Sequence, residues 1–196
     1  MKQAMIHYIQ NEKNDELYTP KEAIYPILKY LNKDLIYWEC TDFGSSNITS
    51  LLRKNEFKVV NSNKKEVDFL KDTPSFDFDA IITNPPYSLK DDFLEKCYSY
   101  NKPFILLLPI TSLEGIRRNK MYREYGIDLI VLDKRINYMD NKKSNWFNTS
   151  WFTKGILSND KNKNLIVFES VDENKEKYEI MNTRFFLPFN TQNIKH

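Results

Sequence analysis

Apolar positions follow two rhythms along this chain. Short apolar runs alternate with stretches in which apolar residues recur every three or four positions. The runs predict strands at 34–40 (DLIYWEC), 57–63 (FKVVNSN), 79–84 (DAIITN), 103–110 (PFILLLPI) and 127–133 (IDLIVLD). The longer spacing predicts helices at 47–55, with Ser45 or Ser46 as cap, and at 89–100 and 113–126. In the second of these, Phe93, Leu94, Cys97 and Tyr98 should turn inward. A helix should also open at Thr19. Thr19 serves as N-cap, Pro20 takes the first turn and Glu22 completes a capping box. Ala23, Ile24, Ile27, Leu28 and Leu31 form its apolar face, and Pro26 should kink it. Further on, WFNTSWFTKGIL and NLIVFES read as strands around the polar linker 158–164.

Strands separated by helices of 10–15 residues predict an α/β fold with a central, mostly parallel sheet. The all-apolar FILLLP run suits a strand covered on both faces. An antiparallel hairpin should lie near 127–155. Parallel sheets bind ligands at the carboxyl ends of their strands. The stretch Thr83-Asn84-Pro85-Pro86-Tyr87-Ser88 falls at one such end. Two prolines cannot donate to a strand ladder, so they end the strand and stiffen the turn. A rigid turn there can aim the Asn84 side-chain oxygen and a main-chain carbonyl at one amino group. Tyr87 can stack on the ring that carries it, a contact worth about 1–3 kcal/mol for a base. The nitrogen of a ring amino group is delocalised and barely nucleophilic, and two acceptors on its N–H bonds offset that. The proton leaves after the new bond forms, so no general base of matched pKa is required. A plain strand-ending turn is the bland alternative.

Composition narrows the chemistry. The 196 residues suit one domain, with a core at about 17–155 and an extension at 156–196. Only four glycines are present, which argues against a glycine-rich phosphate loop. The two histidines, His7 and His196, lie near the ends, and no Cys/His cluster exists in the sequence, so no metal is expected. Cys40 and Cys97 suit a reducing compartment, with Cys40 read as a small buried residue. With no signal peptide and no long apolar span, the expected location is the cytoplasm, with no membrane partner.

The turn, with its surroundings, resembles the class I S-adenosylmethionine-dependent amino-methyltransferases, above all the N6-adenine enzymes. Their (Asn/Asp)-Pro-Pro-(Tyr/Phe) motif is matched by Asn84, Pro85, Pro86 and Tyr87. LYTPKEAI (17–24) is similar to the family's N-terminal cofactor-flanking motif, YWEC (37–40) to the strand carrying its first motif, and DFL (68–70) to its adenine-contacting Asp-Phe pair. The likeness covers most of the chain to about residue 155. It is strongest to small phage- and prophage-borne methyltransferase-like proteins, which implies a bacterial host cell. It implies a Rossmann-like methyltransferase fold, S-adenosylmethionine as cofactor, and cofactor contacts from Thr19, Pro20, Glu39, Asp42, Gly44, Asp68 and Phe69. Phe69 reads equally well as core.

The family's first motif ends in Gly-x-Gly, whereas ECTDFGSSN keeps only Gly44. Its second strand ends in an acid that grips ribose hydroxyls, whereas this chain has Asn61 and Asn63. A non-catalytic relative that binds nucleic acid or a partner without turnover therefore stands beside the enzyme reading. The same turn also serves guanine N2 and protein glutamine amides, both planar conjugated amino groups. A nucleic-acid partner is suggested by residues 111–154, with nine Lys/Arg against five Asp/Glu. Arg117, Arg118, Lys142 and Lys143 could meet phosphates, and Trp146 or Phe147 could wall a flipped base opposite Tyr87. The alternative is a solvated helix face and an ordinary aromatic core. No separate target-recognition domain is evident in 196 residues, so high sequence specificity would have to come from short loops or a partner subunit, and a homodimer is the other assembly expected.

Overall fold

The structure, a computed structural model, describes residues 18–138, 147–158 and 164–184, the last four as backbone only. Seven strands form one sheet: β1 (Ile36–Glu39), β2 (Lys58–Asn61), β3 (Ala80–Thr83), β4 (Phe104–Pro109), β5 (Asp128–Leu132), β6 (Thr149–Lys154) and β7 (Ile166–Glu169). Their order is β2-β1-β3-β4-β6-β5-β7. All pairings are parallel except those of β6, which runs antiparallel to both β4 and β5. This is the mostly parallel sheet with an antiparallel hairpin that the sequence predicts.

Apolar residues alternate between the faces and build two cores. On one side Tyr37, Ile82, Leu107, Ile130 and Trp151 pack under α1 (Lys21–Ile24), α2 (Asn47–Lys54) and α5 (Val171–Arg184). On the other, Trp38, Ile81, Leu106, Leu129 and Phe152 pack under α3 (Lys90–Ser99) and α4 (Ile116–Tyr125). All six residues of β4 are buried, because both faces of the sheet are covered there.

Two local expectations fail. The first helix stops at Ile24 and continues as a 3-10 turn over Tyr25–Tyr30. Pro26 has no N–H to give an α-helical ladder, so the tighter turn takes over. Thr19 is buried but does not cap; Pro20 holds the N-cap position, with no side-chain cap bond. The second difference is α5, which the sequence reading lacks. Its segment VDENKEKYEIMNTR places Val171 and Asn174 inward but shows no continuous apolar stripe. Glu169 anchors its start by accepting from Lys29, Tyr30 and Asn174. By contrast, Ser46 caps α2 as expected, its hydroxyl accepting from the Ile48 N–H at 3.2 Å.

Candidate functional site

The chain leaves β1 for β2 on one side, then crosses back to β3 on the other. Between β1 and β3 the winding reverses, which opens a crevice at the carboxyl ends of the strands. Glu39 ends β1 and Thr83 ends β3. Glu39 is 1% exposed, and its Oε1 accepts from the Thr83 hydroxyl at 2.6 Å and from the Thr41 hydroxyl and N–H at 2.9 and 3.0 Å. Its Oε2 accepts from the Ser46 hydroxyl at 3.2 Å. Burial raises the Glu39 carboxyl to about 7; the Thr83 and Thr41 donors oppose this, while the charge of Asp42 adds to it. Glu39 therefore positions the strand end that delivers Asn84, by way of Thr83.

Next comes the turn. Pro85 is buried, Asn84 and Tyr87 are half-buried, and a 3-10 turn over Tyr87–Leu89 leads directly into α3. The Leu89 N–H donates to the Pro86 carbonyl at 2.9 Å, and the Lys90 ammonium to the Tyr87 carbonyl at 3.0 Å. Tyr87 meets Phe147 edge to face, with ring centroids 5.5 Å apart. Tyr138 lies 6.4 Å from Phe147 and donates to the Thr149 hydroxyl; burial, opposed by Thr149 and Tyr87, pushes its hydroxyl up to about 12. Thr83 and Tyr138 were missed in the sequence. Thr83 sits inside the TNPPYS stretch and could have been suspected. Tyr138, 51 positions beyond Tyr87, carries no local signal.

Of the residues proposed for the cofactor, Thr19, Pro20, Asp42 and Gly44 lie along the same edge. The Asn47 amide donates to the Thr19 carbonyl at 2.9 Å, which places the Thr19-Pro20 segment against the start of α2. The Ser45 hydroxyl reaches Tyr18 at 3.3 Å. Asp42 folds inward, its Oδ1 accepting from the Gly44 and Ser46 N–H groups at 2.7 and 2.9 Å. Burial would raise the Asp42 carboxyl, but donors from Thr49, Ser46, Gly44 and Ser45 outweigh it and hold it below the usual range. Gly44 has φ +101°, which side chains rarely adopt, yet a Cβ there would meet nothing within 4 Å. This glycine serves the bend of the loop and leaves open space beside it.

Asp68 and Phe69 are spent locally. Asp68 accepts from the Leu70 N–H and pairs with Lys71 at 3.7 Å. Phe69 is 3% exposed and stacks on Phe93, with ring centroids 4.8 Å apart. At the end of β2, Asn61 accepts from Arg53, and Asn63 from the Lys65 N–H. Glu66 brings a carboxylate back to this point, its Oε2 accepting from the Asn63 N–H at 3.1 Å. S-adenosylmethionine needs polar partners for an amino-acid end and acceptors for two ribose hydroxyls. Thr19, Asn47 and the open side of Gly44 fit the first, and Glu66 fits the second.

Of the substrate-side residues that are described, Phe147 joins the turn and Arg117 and Arg118 do not. Lys142, Lys143 and Trp146 lie outside the described residues. Arg117 and Arg118 sit in the first turn of α4 and face acids of α3. Arg117 pairs with Asp92 and Glu95, and Arg118 with Asp91 and with the Ser112 and Glu114 carbonyls. Among the described residues, no cluster of three or more His, Cys, Asp or Glu could hold a metal, and no helix is long and apolar enough to cross a membrane.

No family model and no curated protein matches the chain. Among solved structures, it is similar to the methyltransferase subunit of a type I restriction-modification system from Streptococcus thermophilus (16% identity, 86% of this chain and 53% of that one, TM-score 0.48). It is also similar to a modification subunit of a putative type I restriction enzyme from Vibrio vulnificus (10% identity, 93% and 56%, TM-score 0.47). A third is a predicted O-methyltransferase from Agrobacterium tumefaciens (11% identity, 76% and 85%, TM-score 0.39). The chain spans about half the length of the first two. At these identities and TM-scores the likeness identifies neither a substrate nor a cofactor.

Proposed function

We propose that this chain is an S-adenosylmethionine-dependent methyltransferase acting on the exocyclic amino group of a planar ring, with N6 of adenine in DNA or RNA as first choice. The observation that carries the reading is the Asn84–Tyr87 turn, set at the carboxyl end of β3 beside the winding reversal and lined by Phe147 and Tyr138. The Asn84 side-chain oxygen and the Pro85 carbonyl accept from the two N–H bonds of the amino group. That pulls the nitrogen lone pair out of the ring and aims it along one direction. Tyr87 holds the ring by its face. Thr19, Asn47, Gly44 and Glu66 hold the cofactor, which when bound supplies an electrophilic methyl group. Thr83 and Glu39 are buried behind the turn, and the hydrogen bond between them fixes the strand end that carries Asn84.

The test is transfer of tritiated methyl into adenine-rich DNA and RNA. Asn84→Ala should slow transfer on the order of 10²–10³-fold, as loss of one preorganised transition-state contact does. Tyr87→Ala should instead weaken substrate binding by about 1–3 kcal/mol. Equal rates for wild type and Asn84→Ala would refute the role of the turn. Transfer confined to guanine N2 or to a glutamine amide would keep the chemistry and change the substrate.

A second reading, a nucleic-acid-binding relative without turnover, is favoured by the Asp42 carboxylate, which engages the Gly44 and Ser46 N–H groups of the loop. Calorimetric titration with S-adenosylmethionine and S-adenosylhomocysteine separates the two. Silence with both ligands selects the second.

A further inference from the structure

We infer that the outward face of α4 carries the backbone of the polynucleotide whose base enters against Tyr87, with Lys120 and Arg123 on phosphates and Ile116 against the base beside the target. The inference rests on the reading of the turn as an amino-ring site, and it assigns that site's partner surface. α4 holds four cations and a single acid, Glu124. Two of the cations, Arg117 and Arg118, turn towards α3, where they pair with Asp92, Glu95 and Asp91. The other two share a stripe with Ile116, at i, i+4 and i+7, on the side away from the buried Met121 and Tyr122. All three are exposed, and among the described residues Lys120 and Arg123 form no ion pair or hydrogen bond.

The stripe begins beside the turn and is braced there. β3 ends at Thr83, which lies opposite Leu106, while β4 runs on to Pro109. Three further residues carry the chain about 10 Å past that point, along the carboxyl edge. Arg118 clamps the loop that follows. Its Nε donates to the Ser112 and Glu114 carbonyls at 2.8 and 2.7 Å, and its guanidinium pairs with Asp91, on the helix that the turn leads into. The Tyr122 hydroxyl donates to the Ser112 carbonyl at 3.0 Å. Gly115, at φ +115°, leaves the guanidinium room, since a Cβ there would come within 2.5 Å of it. Ile116 follows directly and is 93% exposed, on a loop held too firmly to fold it away.

Charge and spacing favour a nucleic-acid strand as the occupant. Lys120 and Arg123 stand about 4.5 Å apart along the helix axis, near the ~3.4 Å per phosphate along one strand of a duplex. A protein partner would meet an apolar centre depleted of charge, whereas this stripe offers one apolar side chain and two cations. Isoleucine is also among the side chains that wedge against a base step where bases unstack.

The experiment follows binding of a fluorescein-labelled, adenine-containing single strand, which needs no duplex opening, by fluorescence anisotropy across about 50–200 mM salt. Each phosphate contact contributes about 0.7 to the slope of log K against log salt, or roughly fivefold in affinity at about 0.1 M salt. Lys120→Ala combined with Arg123→Ala should therefore lower the slope by about 1.4 and the affinity at about 0.1 M salt roughly 25-fold. Lys120→Arg combined with Arg123→Lys should keep the slope. Ile116→Ala should also keep the slope and weaken binding about fourfold or more at every salt concentration, one buried methylene's worth. Lys33→Ala combined with Lys54→Ala removes equal charge away from α4 and should change neither. An unchanged slope for the double alanine variant of α4 overturns the inference. So does a wild type that ignores the strand or binds a glutamine peptide instead, or a double variant that dissociates a wild-type dimer in sedimentation. The two readings fail separately. If the double variant binds normally while Asn84→Ala stops methyl transfer, only the α4 surface falls. If the double variant loses the slope while Asn84→Ala transfers normally, only the methyl-transfer reading falls.

Discussion

Replacing Glu39 with Gln exchanges a buried carboxyl for an amide of nearly the same shape. In the fold this carboxyl is raised to about 7 from an ordinary value of 4.5, burial being the main cause. The unfolded chain releases the proton near the ordinary value. Between these two pH values the native state holds a proton that the unfolded state has lost. Its contribution to stability is therefore complete below about 4.5, declines as pH rises, and has been lost once pH passes about 7. A gap of about 2.5 pH units at ~1.4 kcal/mol each gives roughly 3–4 kcal/mol. Wild type should lose that much relative to Glu39→Gln between pH 4.5 and 7. Urea denaturation followed by tryptophan fluorescence reads it, since Trp38 and Trp151 are fully buried. Asp42 and Glu169 have lowered carboxyls and act in the opposite direction, losing stability as the solution turns acidic; Glu169 is common to both proteins and cancels in the difference, while Asp42, whose charge raises the Glu39 carboxyl, leaves a smaller contribution of its own. If the two pH profiles run parallel, Glu39 is not a buried carboxyl held by Thr83 and Thr41, and the account of how Asn84 is positioned fails with it.

Two further outcomes follow. Phe69→Ala should cost about 3–5 kcal/mol in a denaturant titration, as expected of a core ring stacked on Phe93; a change within about 1 kcal/mol would return Phe69 to the cofactor side. Glu66→Gln should weaken S-adenosylhomocysteine binding by about 1–3 kcal/mol in calorimetry and leave the denaturation midpoint nearly unmoved, because Glu66 is exposed; undiminished binding would remove it from the ribose position.

The sequence made local order legible wherever local rules decide it. Phe104–Pro109 reads as a doubly covered strand, and a serine just before the run with helical spacing, Ser45 or Ser46, reads as its cap, of which the fold uses Ser46. The Asn-Pro-Pro-Tyr turn declared a rigid strand end. Choices that depend on distant residues stayed hidden. Whether Phe69 meets a ligand or a core depends on Phe93 and Trp38. Whether Arg117 and Arg118 meet phosphate depends on acids more than twenty positions earlier, brought alongside by the packing of two helices. Helix α5 was hidden for another reason: it is held by a few inward residues and by Glu169 rather than by an apolar stripe.

The reversed strand β6 also has a consequence for how the chain comes together in time. It lies between β4 and β5, although it follows both in sequence. The partners of β5 are β6 and β7, both made later. As the chain leaves the ribosome, Leu129, Ile130 and Leu132 are therefore exposed on an unpaired edge until 149–154 arrive. The half of the sheet bearing β1, β3 and the Asn84 turn can assemble first. The contact between Tyr138 and Phe147 beside the turn forms only when the late strand slots in. The site is thus completed by the same event that seals the sheet, and a chain stalled before it would carry the turn without its wall.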